Sequence, residues 1–264
     1  MVRMSTQVPG PQVRLPTRDE AVHGWARVVA VLSTHWSLLL LLAVGGGLFA
    51  LAVAGVDEVY ESVLEADDLA TLDQPALDAA LERRSPGLDE AITVYTDLGG
   101  TVWAPVLTLL LVVGLSLLWR SWTPLLLMLV ATAGSLAMTS VGKTVVGRER
   151  PPTDLAVPPF ESSPAFPSGH ALNATVIAGV LAYLGVLRLR STLARVAVVL
   201  AAVAHAALMG LSRVFLGHHW LTDVMVAWFL GLGWLVLVVG VHQVLLRRVG
   251  HDDPVRGAEV TAAR

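Results

Sequence analysis

An all-α, polytopic membrane protein with six transmembrane helices is what this sequence predicts. Apolar residues fill 55% of its 264 positions and charged residues only 15%, so there is too little polar surface to cover a soluble fold. Six stretches also lack Asp, Glu, Lys and Arg for about the 20 residues a helix needs to cross roughly 30 Å of hydrocarbon. They lie near 33–56, 98–119, 121–142, 169–187, 196–212 and 224–246, the fifth being the shortest. An even number of spans puts both termini on one side.

The basic residues assign that side. Arg3, Arg14, Arg18, Arg27, Arg120, Arg188, Arg190, Arg195, Arg247, Arg248, Arg256 and Arg264 share the termini's side, twelve of the eighteen Lys and Arg. The positive-inside rule therefore predicts cytoplasmic termini in a cell membrane, with Lys143, Arg148, Arg150 and Arg213 at the outer face.

Residues 1–32, with Pro9, Pro11 and Pro16 among scattered charges, read as a cytoplasmic tail, and 247–264 as a second. The first apolar run is too long for a signal peptide and reads as a retained span. Residues 33–246 form the membrane domain. Within it, 57–97 holds twelve acidic residues against Arg83 and Arg84. Val56, Val59, Tyr60, Val63 and Leu64 recur there at helical spacing, the pattern of an amphipathic outer connector or a lid.

The chain has no cysteine, which excludes disulfides, thiolate metal sites and a thiol nucleophile. Its chemistry-bearing residues fall in three segments at the margins of apolar runs, where ionisable groups are costly and usually functional. The first segment holds Lys143, the chain's single lysine, and Arg150-Pro151. Seven residues apart, the two cations lie on one face of a continuous helix, or the arginine reaches in from a loop after Gly147. A guanidinium and an ammonium together suit one anion.

The second segment, Pro167-Ser168-Gly169-His170, stands where a proline-rich loop meets the fourth span. A helix start offers unpaired N–H groups to an anion, Ser168 adds a hydroxyl, and Gly169 allows close approach. His170 then lies beside that anion, whereas His35, His205 and His242 read as buried, hydrogen-bonded residues.

In the third segment Ser212-Arg213 precedes His219 and Asp223. Four apart, His219 and Asp223 share a face if helical, so the carboxylate can hold one imidazole nitrogen and leave the other as nucleophile. His218 lacks that relation to Asp223. A zinc site built from His170, His218, His219 and Asp223 is disfavoured by the three cations around it. No metal is expected.

These segments resemble the type 2 phosphatidic acid phosphatase superfamily, whose signature is Lys-x6-Arg-Pro, Pro-Ser-Gly-His and Ser-Arg-x5-His-x3-Asp. Lys143, Arg150, Pro151, Pro167, Ser168, Gly169, His170, Ser212, Arg213, His219 and Asp223 match it at every specified position. The resemblance implies an enzyme without cofactor or metal, a lipid phosphatase working through a phosphohistidine intermediate. It casts His219 as nucleophile held by Asp223 and His170 as the acid for the leaving oxygen. Lys143, Arg150, Ser168, Gly169 and Arg213 become the phosphate cradle. Undecaprenyl diphosphate, phosphatidylglycerophosphate and phosphatidate are the substrate candidates, and an outer-face site favours the first. A phosphotransferase of the same superfamily and a non-catalytic lipid-phosphate carrier are the rival readings, though a carrier has no need of both histidines and Asp223. The implied partners are a lipid phosphate and the bilayer, with no nucleic acid.

Overall fold

The structure is a computed structural model that describes residues 68–251 continuously, with side chains through 246, and scattered positions from 36 to 62. Residues 1–35, His35 included, and 252–264 lie outside the described residues, as do Val56, Val59, Tyr60, Val63 and Leu64, while 247–251, expected as the start of the second tail, continue the last helix. Among the described residues there is no strand. A helical turn, Asp68–Leu72, leads into α1 (Asp73–Leu81) and α2 (Pro86–Asp97). Five longer helices follow: α3 (Trp103–Trp119), α4 (Thr123–Val146), α5 (Gly169–Arg188), α6 (Thr192–Phe215) and α7 (Leu221–His251).

Turn chemistry sets these boundaries. Pro86 opens α2 behind an extended Ser85, where a missing N–H costs nothing. Arg120 closes α3 in the left-handed conformation, with the Ser121 N–H donating to Ser116. Ser191 accepts the Ala194 N–H at the start of α6. The fifth apolar run, expected over 196–212, is a helix from Thr192 to Phe215. Its extra turns carry Arg195, whose Nε donates to the Leu189 carbonyl at 2.8 Å, and Arg213, which turns inward. Charge-free run length therefore understates the helix.

The helix α5 is the centre of the bundle, packed on α4, α6 and α7. Leu172, Val176, Val180 and Leu184 recur every fourth residue and are all buried. By contrast α6, with mean hydropathy 1.9 over its best window, is only 11% buried there, while α5 at 1.7 is 50% buried. An apolar helix left that bare in water is unstable, so its outer face is made for lipid. Among the described residues, four helices are long and apolar enough to cross a membrane: Thr123–Val146, Gly169–Arg188, Thr192–Phe215 and Leu221–Leu246. Trp103–Trp119 and Ala43–Gly55 are apolar but shorter.

Residues 68–97 are no free connector. Asp73, Leu77 and Thr96 are buried, and the Arg84 guanidinium donates to the carbonyls of Phe215 and Leu155. At the end of α6, Gly217 turns with φ 73°, and a Cβ there would lie 2.8 Å from the Leu155 carbonyl oxygen. Only glycine fits that turn, and it delivers the two histidines that follow.

Gly142 lets α4 approach the start of α5, since a Cβ there would sit 2.4 Å from Pro167 Cδ. Gly142→Val should lower stability by about 1–3 kcal/mol through overpacking. Gly114→Ala on α3, with nothing within 4 Å, should not. Thermal unfolding of the detergent-solubilised protein checks both, and equal midpoints would refute the contact.

Candidate active site

The first segment divides between a helix end and a loop. α4 stops at Val146 with Gly147 in the left-handed conformation, so Lys143 and Arg150 do not share a helical face. They converge on the 161–164 loop instead, sharing Ser163 Oγ and the Pro164 carbonyl as acceptors. Lys143 Nζ donates to Ser163 Oγ at 3.0 Å and to the Pro164 carbonyl. Arg150 Nε donates to the Ser163 carbonyl at 2.7 Å, and Nη1 to the His218 carbonyl.

Ser168 is the extended residue before α5, and its N–H donates to the Asp223 carbonyl at 3.3 Å. The second and third segments are thereby joined through the backbone. The Ser168 hydroxyl is buried without a hydrogen-bond partner. His170, in the first turn of α5, lines the cavity described below.

In the third segment the shared helical face is not what pairs His219 with Asp223. His219 precedes α7, in the turn after Gly217, and its N–H donates to the Arg213 carbonyl at 3.2 Å. Nδ1 lies 3.5 Å from Asp223 Oδ2, and Nε2 lies 3.2 Å from Arg150 Nη1. A guanidinium only donates, so Nε2 holds the lone pair and Nδ1 the proton facing the carboxylate. His218 is turned elsewhere: its Nε2 lies 2.7 Å from the Val157 carbonyl, which only accepts. His205 and His242 do form hydrogen bonds, to Tyr95 and Tyr183, but neither is buried, and His205 is exposed on α6.

Four residues join the site that motif reading did not select. Glu161 accepts from Arg150 Nη2 at 2.7 Å and from Arg213 Nη2, bridging the two guanidiniums. Arg148 donates to Asp223 at 2.7 Å and to Asp73 at 2.6 Å, all three buried. Thr96, from α2, accepts from Arg213 Nη1 at 3.1 Å. Arg148 had a sequence signal in its closeness to Arg150. Glu161 is an isolated acid in a proline-rich loop and Asp73 one of twelve in its segment, so neither had one.

Charge balance follows from these contacts. Burial raises the Glu161 pKa, but Arg213 and Arg150 outweigh it and hold the carboxyl at about 2. Burial, then Arg150 and Arg213, hold the His219 pKa well below 6.5, so the imidazole is neutral near pH 7. A neutral imidazole with its lone pair among donors can attack an electrophile that those donors hold.

The site opens into a cavity of about 980 Å³. Lys143, Glu161, His170, Arg213 and His219 line its polar end. From there it runs between α3 and α4 past Leu136, Leu129 and Leu125, with Leu109 and Val112 opposite. Along α4, the 18 residues from Lys143 to Leu125 cover roughly 27 Å.

Comparison with known proteins gives a consistent result. The PAP2 superfamily profile matches residues 124–247. Phosphatidylglycerophosphatase B of Bacillus subtilis (strain 168) is 33% identical over 191 residues, covering 72% of this chain and 92% of that protein. A crystal structure of a transmembrane PAP2 type phosphatidylglycerolphosphate phosphatase from Bacillus subtilis superposes with a TM-score of 0.67 at 31% identity, covering 75% of this chain and 96% of that one. Aquifex aeolicus LpxE shares the fold, with a TM-score of 0.50 at 21% identity over 64% of this chain and 94% of that one. With its three signature segments assembled at one end of a helical membrane bundle, the chain belongs to the PAP2 superfamily.

Proposed function

We propose that this protein is a multi-pass lipid phosphatase of the cell membrane, metal-independent, with its site on the outer face. The observation that carries the reading is the two-part cavity, a cationic end continuous with an apolar channel between α3 and α4. A phosphate headgroup suits the first part and an acyl chain the second. A soluble phosphate ester has no use for the channel.

In the proposed reaction the His219 Nε2 lone pair forms a bond to phosphorus as the bond to the leaving oxygen breaks. His170 gives that oxygen its proton. Water then attacks phosphorus, the P–N bond breaks, the water's proton passes to His170, and inorganic phosphate leaves. Lys143, Arg150 and Arg213, with Ser168 and the Gly169 N–H, hold the equatorial oxygens. Such preorganised donors typically contribute a few kcal/mol each in the transition state, the task a metal ion performs elsewhere.

Similarity to phosphatidylglycerophosphate phosphatase of Bacillus subtilis, in sequence and in structure, moves phosphatidylglycerophosphate ahead of undecaprenyl diphosphate and phosphatidate as the substrate. The proposed six spans add Ala43–Gly55 and Trp103–Trp119 to the four longer helices. At 17 residues, the second covers about 26 Å, close to the hydrocarbon thickness. The arginine distribution supports cytoplasmic termini.

Inorganic phosphate release from long-chain phosphatidylglycerophosphate, phosphatidate and a polyprenyl diphosphate, assayed in EDTA, tests the reading. His219→Ala should lose at least about a thousandfold in kcat, as removal of a nucleophile does. His218→Ala should lose far less. An active His219→Ala enzyme refutes the assignment, and activity that vanishes in EDTA and returns with a divalent ion refutes the metal-free cage.

Glu161 occupies the arginine pair that phosphate would use. Glu161→Gln should therefore tighten competitive inhibition by inorganic phosphate by about tenfold, the equivalent of about 1.4 kcal/mol. Unchanged or weaker inhibition would show that Glu161 does not compete for the arginines. For topology, a membrane-impermeant maleimide should label Thr153→Cys in intact cells but not Ser191→Cys, and the reverse pattern would put the site inside.

A further inference from the structure

The acidic segment sends one carboxylate behind the site. Asp73, at the start of α1, is 3% exposed and lies against Arg148 Nη2 at 2.6 Å. Its other bonds fix it in place: Oδ1 accepts the Thr222 N–H at 2.9 Å and Oδ2 the Thr222 hydroxyl at 2.8 Å. Arg148 Nη1 donates to Asp223 Oδ1 at 2.7 Å, and Asp223 Oδ2 accepts the Trp220 N–H at 2.9 Å and faces His219 Nδ1. The guanidinium also lies over the Trp220 ring, 5.7 Å from its centroid.

Charge is what makes this chain of contacts consequential. A carboxylate that faces an imidazole can stabilise the cation formed when Nε2 is phosphorylated and Nδ1 keeps its proton. Arg148 cancels that carboxylate. Asp223 and Arg148 together are neutral, and the other groups around His219 add more positive charge than negative: Arg150, Arg213 and Lys143 are cations, Glu161 is one anion, and His170 and His218 are the remaining titratable neighbours. Asp73 restores one negative charge to the Nδ1 side, where water is scarce and screening weak.

We infer that Asp73 is a positioning residue for the phosphoryl-transfer step, acting through Arg148 and Asp223 to hold a net negative charge behind His219. The inference rests on His219 as the nucleophile. It gives part of the acidic segment a role in the chemistry instead of in lipid access.

The test uses the full-length protein in detergent with dioctanoyl phosphatidate, whose short chains make little demand on the channel. Asp73→Asn keeps the side chain's shape and an acceptor for Thr222. Its kcat should fall by about tenfold with KM within about twofold, as for other supports of a reacting side chain. Asp73→Glu should recover part of that loss. In an Asp223→Asn background the same Asp73→Asn change should cost less than about twofold, because its route to His219 is already cut. If Asp73→Asn does not fold, Arg148→Lys replaces it in the same cycle, since one ammonium cannot span both carboxylates. Equal losses in the two backgrounds, an unchanged kcat, or a rise in KM alone would overturn the inference. A phosphoenzyme that still forms in His219→Ala would instead overturn the reading beneath it.

Discussion

Four guanidinium groups are buried or half-buried at one end of an apolar helical bundle, and each must find oxygen there. The desolvation cost of a bare cation exceeds anything local packing returns, so the acceptors decide which segments come together. Arg84 takes the carbonyls that end α6 and the Leu155 turn. Arg148 takes Asp73 and Asp223, from opposite ends of the described chain. Arg150 and Arg213 share Glu161. Remove these pairings and α1, α2 and the 147–168 loop lose their main ties to α5, α6 and α7.

The same requirement shapes the arginine pair. Arg150 and Arg213 are held close enough to grip one anion, which without an occupant would leave two like charges facing each other. Glu161 relieves that repulsion from a loop with Ser162 and Ser163 exposed beside it. Its low pKa records how strongly the two guanidiniums hold it. A carboxylate offers two oxygens and one charge where the proposed phosphate would offer three and up to two, so Glu161 satisfies the arginines with fewer oxygens and less charge than that phosphate would bring. Preorganisation of the cationic pair is thereby compatible with folding.

What the sequence disclosed divides along the same line. The bundle was legible because lipid imposes long charge-free runs, and the proposed site because Lys143, the Ser-Gly-His start of α5 and the Arg213-to-Asp223 stretch carry unusual residue types at fixed offsets. Of the two routes open to Arg150 the structure takes the loop after Gly147, so helical spacing misled only for His219. Lys143 and Arg150 converge although Gly147 ends the helix between them, and His219 meets Asp223 from a turn that Gly217 makes. Spacing reports proximity along a helix only when a helix is there. Asp73, Thr96 and Glu161 were invisible for a different reason: an acid or hydroxyl in a polar segment has no local mark of the long-range partner that buries it.

Between two adjacent and chemically identical histidines, the backbone does the choosing. Arg213 accepts both the His218 and His219 N–H groups at its carbonyl, at 2.9 Å and 3.2 Å, so the turn after Gly217 is wound tightly onto the end of α6. The two side chains leave that turn toward different partners. His218 spends its Nε2 on the Val157 carbonyl, while His219 is carried between Asp223 and Arg150. The Nδ1 proton of the second histidine faces a carboxylate, and its Nε2 lone pair lies beside the Arg150 guanidinium. The distinction between them needs no difference in intrinsic basicity, since geometry alone gives one ring a carboxylate and a guanidinium and the other a main-chain carbonyl.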